Sequence, residues 1–158
     1  MLNDIVKSET QFYFPLSKIG YVDIPGLDLP LCLEMLHDGD IRKVAGRSAT
    51  RNFDSIMYLL HGRPNDPSSV IEKFYMMFDR YAGWFSFRYG VTENGLRLVL
   101  EHTYGRKWSV FLSEYNTVIW KNMCNNMESK IQDSAVSLDI SLNRDAIKTY
   151  MRSGLNLR

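Results

Sequence analysis

Residues 95–123 read GLRLVLEHTYGRKWSVFLSEYNTVIWKNM, and along them the spacing of apolar positions changes from two to about 3.6. Leu96, Leu98 and Leu100 alternate with Arg97 and Glu101, the pattern of a strand covered on one face. Trp108, Phe111, Leu112, Tyr115, Val118, Ile119 and Met123 then recur at helical spacing. Gly105 stands between the two patterns, where a residue without a Cβ lets the chain turn sharply. The stretch therefore predicts a strand, a tight corner and a long amphipathic helix.

Working outward, Phe85, Phe87 and Tyr89 alternate with Ser86 and Arg88. Asn94-Gly95 is a two-residue hairpin signal, because both residues tolerate positive φ. An antiparallel hairpin over 84–102 follows. Downstream, Val136, Leu138, Ile140 and Leu142 alternate with Ser137, Asp139 and Ser141, which predicts a strand over 134–142 after a polar connection, NNMESKIQD. Helices are expected over 30–48, 51–61, 67–82 and 104–124. Asp38 and Asp40 are placed to cap the segment beginning at Ile41. Phe53, Ile56, Met57 and Leu60 line the second helix. Asp66 precedes Pro67, and Ser69 with Glu72 forms a capping box, at the start of a third helix that buries Ile71, Phe74, Tyr75 and Phe78. The fold class is α+β: a small antiparallel sheet, hairpin 84–102 plus strand 134–142, packed by helices. Residues 1–28, with Phe12, Tyr13, Phe14 and Tyr21 among Pro and Gly, read as an extended arm. Residues 29–158 form one domain, closing on a short helix through Ile147 and Met151.

A chain of 158 residues suffices for a single core. With 45% hydrophobic and 23% charged residues it falls in the globular class, and 13% aromatics with eight Met favour an adaptable apolar cavity or interface. The formal net charge of +1 lacks the basic excess of a duplex-binding module. Cys32 and Cys124 lie far apart within apolar helical patterns and are expected as buried free thiols, which points to the reducing cytoplasm. No apolar run reaches membrane-span length, and residues 1–10 lack the basic and apolar regions of a signal peptide, so neither a membrane partner nor export is expected.

Among chemical candidates, His102 shares strand parity with Leu96, Leu98 and Leu100, so its ring should point inward. There it either ties the strand end to the next helix or meets a ligand. Arg106 and Lys107 open that helix, where two cations and free backbone N–H groups suit a phosphate or carboxylate. Cations in a first helical turn oppose the dipole, and the segment lacks the glycines of a P-loop. Ser109 has neither a G-x-S-x-G elbow nor a base at fixed spacing and reads as a packing hydroxyl. His37, His61 and His102 are isolated from one another, and no metal or cofactor is expected. Lys43, Arg47 and Arg51 are the densest basic cluster. Glu101 and Asp139 alternate away from the core, and no pair of carboxylates stands out for acid–base work.

The run His102-Thr103-Tyr104-Gly105-Arg106-Lys107-Trp108-Ser109, preceded by the hairpin and followed by FLSEY, has the pattern H-x-x-G-x-K-W-S. It resembles a poorly characterised family of archaeal regulator-like proteins, over roughly Leu29 to Leu142. In some members of that family a comparable region follows a ribbon-helix-helix DNA-binding segment. Residues 1–28 do not read as such a unit, so DNA binding is not carried over from the resemblance. The leading expectation is a non-enzymatic cytoplasmic regulatory or ligand-sensing domain, homodimeric, holding a small molecule at His102, Tyr104, Arg106, Lys107 and Trp108. One alternative is nucleic-acid binding through Lys43, Arg47 and Arg51; another is a small enzyme with His102 as general base.

Overall fold

The computed structural model describes residues 28–142; the expected arm and the expected last helix lie outside them. Along the chain come α1 (Asp28–Glu34), α2 (Asp38–Leu59), α3 (residues 67–82), β1 (Ser86–Thr92), β2 (Gly95–Glu101), α4 (Arg106–Trp120), β3 (Asn126–Ile131) and β4 (Ala135–Ser141). The fold is α+β, with the strands forming one antiparallel sheet in the order β1-β2-β4-β3.

The sheet has one dry and one wet face, as period-two patterning requires. Its register sets Phe87, Leu100, Val136 and Ile131 in one row, and Val91, Leu96, Ile140 and Met127 in another. The opposite face is polar: Arg97 pairs with Asp139 directly across the β2–β4 ladder at 2.6 Å, and Arg88 pairs with Glu101. Gly95 opens β2 where two backbones nearly touch, since a Cβ there would lie 1.9 Å from the Ile140 carbonyl oxygen. Only glycine fits.

Helix α4 covers the dry face and is itself covered by α2, giving a stack of sheet, central helix and outer helix. Its position explains a composition that a surface helix would not tolerate. Trp108, Phe111, Leu112, Tyr115, Ile119 and Trp120 are buried, and so are the polar Ser109, Ser113 and Asn116. That second group, spaced four and three apart, forms a narrow stripe whose short side chains find partners. Ser113 shares a 2.8 Å hydrogen bond with Ser129 of β3. The Asn116 amide donates to the Leu112 carbonyl at 2.7 Å, and its carbonyl oxygen accepts from the Tyr75 hydroxyl. Trp120 in turn donates its indole N–H to Tyr75 at 2.7 Å. Each buried polar group in this network is thereby satisfied, as its removal from water demands.

Helix α3 is unusual. After its first turn it runs through two π segments, Val70–Tyr75 and Phe78–Ala82, the second closed by the Gly83 N–H bonding to the Phe78 carbonyl five residues back. Val70, Ile71, Phe74, Tyr75 and Phe78 are all buried, and Phe74 stacks on Phe78 at 4.4 Å between ring centres.

Several boundaries differ from the sequence expectation. The helices expected over 30–48 and 51–61 are redivided: the chain breaks after Glu34, and α2 then runs unbroken from Asp38 to Leu59. Gly46 does not interrupt it, because Ala45, Ala49 and Phe53 continue the buried stripe and the Thr50 hydroxyl donates to the Gly46 carbonyl at 2.8 Å. The N-cap of α2 is His37 without a side-chain bond, and neither Asp38 nor Asp40 serves as cap. At α3, Asp66 accepts from the Ser68 N–H, but Ser69 accepts from the Arg63 N–H across the preceding loop and forms no capping box. The hairpin turn falls on Glu93-Asn94, one residue earlier than expected, with Thr92 opposite Gly95. Within the expected polar connection lies β3, an edge strand with exposed Glu128 and Lys130 on its outer face. Cys32 and Cys124 are free thiols, but neither is buried: Cys32 sits on the outward side of α1, and Cys124 is half-buried just beyond α4. An amphipathic face dictates burial only on the side that meets the core.

Candidate functional site

The corner between β2 and α4 concentrates the buried polar chemistry. Strand parity carries His102 inward, and its backbone N–H extends the ladder past the last β2–β4 pair by donating to the Ser134 carbonyl at 2.9 Å. Gly105 then adopts φ 80°, a left-handed value that admits glycine readily, and α4 starts at the next residue. His102 is 8% exposed.

The hydrogen bonds of its ring are directional. Nδ1 faces the Tyr104 backbone N–H at 3.2 Å, and that group only donates, so Nδ1 is the unprotonated acceptor. The ring proton therefore resides on Nε2 and is donated to the Ser109 hydroxyl oxygen at 2.8 Å. The Ser109 hydroxyl proton faces the Ala135 carbonyl at 3.5 Å, a long contact. Burial holds the ring in this neutral form by lowering its pKa below the ordinary imidazole value. Ser109 consequently receives a proton donor where a nucleophile would need a base.

The same corner clamps the link between α3 and β1. The Tyr104 hydroxyl donates to the Gly83 carbonyl at 3.0 Å, and the Trp108 indole N–H donates to the Trp84 carbonyl at 2.9 Å. Trp84 packs edge-on against Trp108, with 5.6 Å between ring centres, and Phe111 stacks beneath Trp108 at 5.0 Å. Between the clamped link and the corner opens a cleft of about 430 Å³, whose lining includes Asp79, Phe85, Ser86, His102 and Tyr104. Burial raises the Asp79 carboxyl pKa above the usual aspartate range, with a bond from the Phe87 backbone N–H opposing the rise. Near-neutral imidazole, a hydroxyl tie, a partly desolvated carboxyl and an aromatic wall thus meet in one concavity.

Only two of the five expected ligand residues, His102 and Tyr104, face this cleft. Arg106 and Lys107 turn toward α2: Arg106 bonds Asp38 at 3.0 Å, and Lys107 bonds Asp38 at 3.1 Å and the Leu36 carbonyl at 2.7 Å. Both cations lower the Asp38 pKa, chiefly through these bonds, Lys107 first. The anion that two cations at a helix start call for is thus supplied by the chain itself. Trp108 lies in the core. Lys43, Arg47 and Arg51 share one exposed row along the unbroken α2, with Lys43 bonded to Asp40 at 3.1 Å. His37 and His61 are exposed, and among the described residues no cluster of His, Cys, Asp and Glu is built to hold a metal ion. Asp79, Phe85 and Ser86 were not anticipated, since no sequence spacing links the end of a π-helical turn to a residue more than twenty positions on.

No family model matches the chain, and neither a curated protein nor a solved structure does.

Proposed function

We propose that this protein is a non-enzymatic regulatory domain that senses a small molecule in the cleft between the end of α3 and the β2–α4 corner. The observation that carries the reading is the bond from the Tyr104 hydroxyl to the Gly83 carbonyl, which ties the two walls of the cleft directly to each other. A ligand seated there bears on both α3 and α4, and through them on the whole stack. The assignment of His102 as a general base is disfavoured because both ring nitrogens are engaged, one with an amide donor and one with the hydroxyl it would have to deprotonate. The H-x-x-G-x-K-W-S motif, which resembles regulator-like proteins, spans this same corner. We take the protein to act in the cytoplasm as a homodimer; no helix of the described residues is long and apolar enough to cross a membrane.

The test is native mass spectrometry of the purified chain, followed by a thermal-shift screen of small polar and aromatic compounds. A hit should lose its shift in Tyr104→Ala and Asp79→Asn. A hit indifferent to both variants, or a chain that stabilises with no compound, would count against the cleft. Light scattering that finds only monomer would remove the dimer.

A second reading has one observation behind it. The unbroken α2 aligns Arg47 and Arg51, neither of which has a side-chain partner among the described residues, with Lys43 on one exposed row. Nucleic-acid binding there should weaken steeply with salt. Arg47→Glu with Arg51→Glu should abolish it; full retention at low salt would exclude this row.

A further inference from the structure

We infer that His102 is an acid-sensitive latch on the cleft: a second ring proton severs its bond from the Tyr104 amide and releases the corner that Tyr104 holds against Gly83. The inference rests on the cleft being the ligand site only for its consequence, regulation of binding by pH; the latch itself follows from the geometry.

A neutral imidazole has one donor and one acceptor nitrogen, and here both are assigned by their neighbours. The Tyr104 backbone N–H occupies Nδ1, and the Ser109 oxygen takes the Nε2 proton. An incoming proton can go only to Nδ1, where it would set N–H against N–H. A backbone amide cannot reverse its role as a hydroxyl can, so the bond is lost. Residues 102–105 are then held at one point fewer, immediately beside the Tyr104 hydroxyl that reaches the Gly83 carbonyl.

The surroundings decide where an imidazolium would turn. From β2, Glu101 lines the cleft but is engaged with Arg88 of β1 on the wet face of the sheet. From α4, Arg106 and Lys107 are drawn away to Asp38, leaving Ser109 as the group that meets the ring. From β4 and the turn before it, the carbonyls of Ala135 and Ser134 accept from the Ser109 hydroxyl and from the His102 backbone N–H. From α3, Asp79 lines the same cleft, its carboxyl pKa raised by burial against a bond from the Phe87 backbone N–H, and Arg80 beside it lies over the Tyr81 ring. An imidazolium freed from Tyr104 therefore has the Asp79 carboxyl to face across the cleft. Burial, which keeps the ring neutral at pH 7, sets the latch closed there.

The experiment is nuclear magnetic resonance of the full chain without ligand, recording imidazole nitrogen correlations and backbone amides from pH 8 to pH 5. The expected result is an Nε2–H tautomer for His102 at pH 7 and a titration midpoint below about 6.5. The Tyr104 and Gly83 amides should shift with the same midpoint. In Tyr104→Phe the Gly83 amide should cease to follow the titration, while the His102 tautomer and the residue-104 amide still report it. An Nδ1–H tautomer at pH 7 would overturn the inference, as would a ring that stays neutral until the chain unfolds, or a Tyr104 amide unmoved by the titration. None of these readouts involves a ligand. A cleft that binds nothing would sink the proposed function while leaving the latch standing, and a failed latch would leave ligand binding untouched.

Discussion

At the scale of single residues, His102 and Gly95 show how one atom decides a local structure. For His102 the consequence appears in stability against pH. Its folded-state pKa is lowered, so on acidification the unfolded chain takes up the proton first. Stability contributed by the neutral ring is complete above the unfolded value of about 6.5 and declines as pH falls through it toward the folded value. Chemical denaturation at pH 8, 7, 6 and 5.5 should therefore show a falling midpoint. His102→Gln should flatten that fall between pH 7 and 5.5. An unchanged slope in the variant would assign the acid sensitivity elsewhere. Gly95 carries the opposite kind of constraint, one of space. Gly95→Ala drives a methyl group into the Ile140 carbonyl of the neighbouring strand, where the ladder cannot yield without losing its own bonds. Its expected cost is about 3 kcal/mol, at the upper end of overpacking penalties, read as a lowered urea midpoint.

Among the elements, α4 ties the molecule together, and its polar stripe separates necessary from incidental hydrogen bonds. Tyr75→Phe removes a hydroxyl that both accepts from Trp120 and donates to Asn116, leaving two buried groups unpaired. A loss of about 2–3 kcal/mol is expected from urea unfolding. Ser113→Ala breaks a bond to a serine that water can reach and should cost about 1 kcal/mol or less. Equal losses in the two variants would refute the view that burial, not bond count, sets the penalty. The strand-to-helix corner was legible because Leu96, Leu98, Leu100 and His102 obey one parity and α4 carries large apolar residues at helical spacing. Edge strand β3 was hidden because both its faces are at least partly wet, so Met127 and Ile131 stand out little from Glu128 and Lys130. The join of α2 across Gly46 was hidden for another reason: helix propensity there is overruled by the packing of Ala45 and Ala49. The site was half legible. His102 and Tyr104 lie on the strand-to-corner run that periodicity reveals, whereas Asp79 reaches the cleft only through π turns, which no residue pattern announces.

At the largest scale, the stack of sheet, α4 and α2 leaves no second core among the described residues to melt separately. One apolar cluster runs from Leu33 and Ile41 through Phe74 and Trp108 to Leu138 and Leu142. Every helix and strand from α1 to β4 contributes to it or packs against it. The three tryptophans sample that cluster from different elements: Trp84 at the α3–β1 link, Trp108 at the start of α4 and Trp120 at its end. Trp120 is fully buried and bonded to α3 through Tyr75, whereas Trp108 holds the link beside the cleft. If the stack is one cooperative unit, tryptophan fluorescence and far-ultraviolet circular dichroism must report the same urea transition. Single-tryptophan variants, with the other two replaced by Phe, extend the comparison along α4. The transition seen by Trp108 should coincide with that seen by Trp120, because both are anchored to one helix buried on opposite sides by the sheet and by α2. An earlier transition at Trp108 alone would mean that the cleft end opens as a separate unit, and that the corner, not the stack, limits the stability of the site.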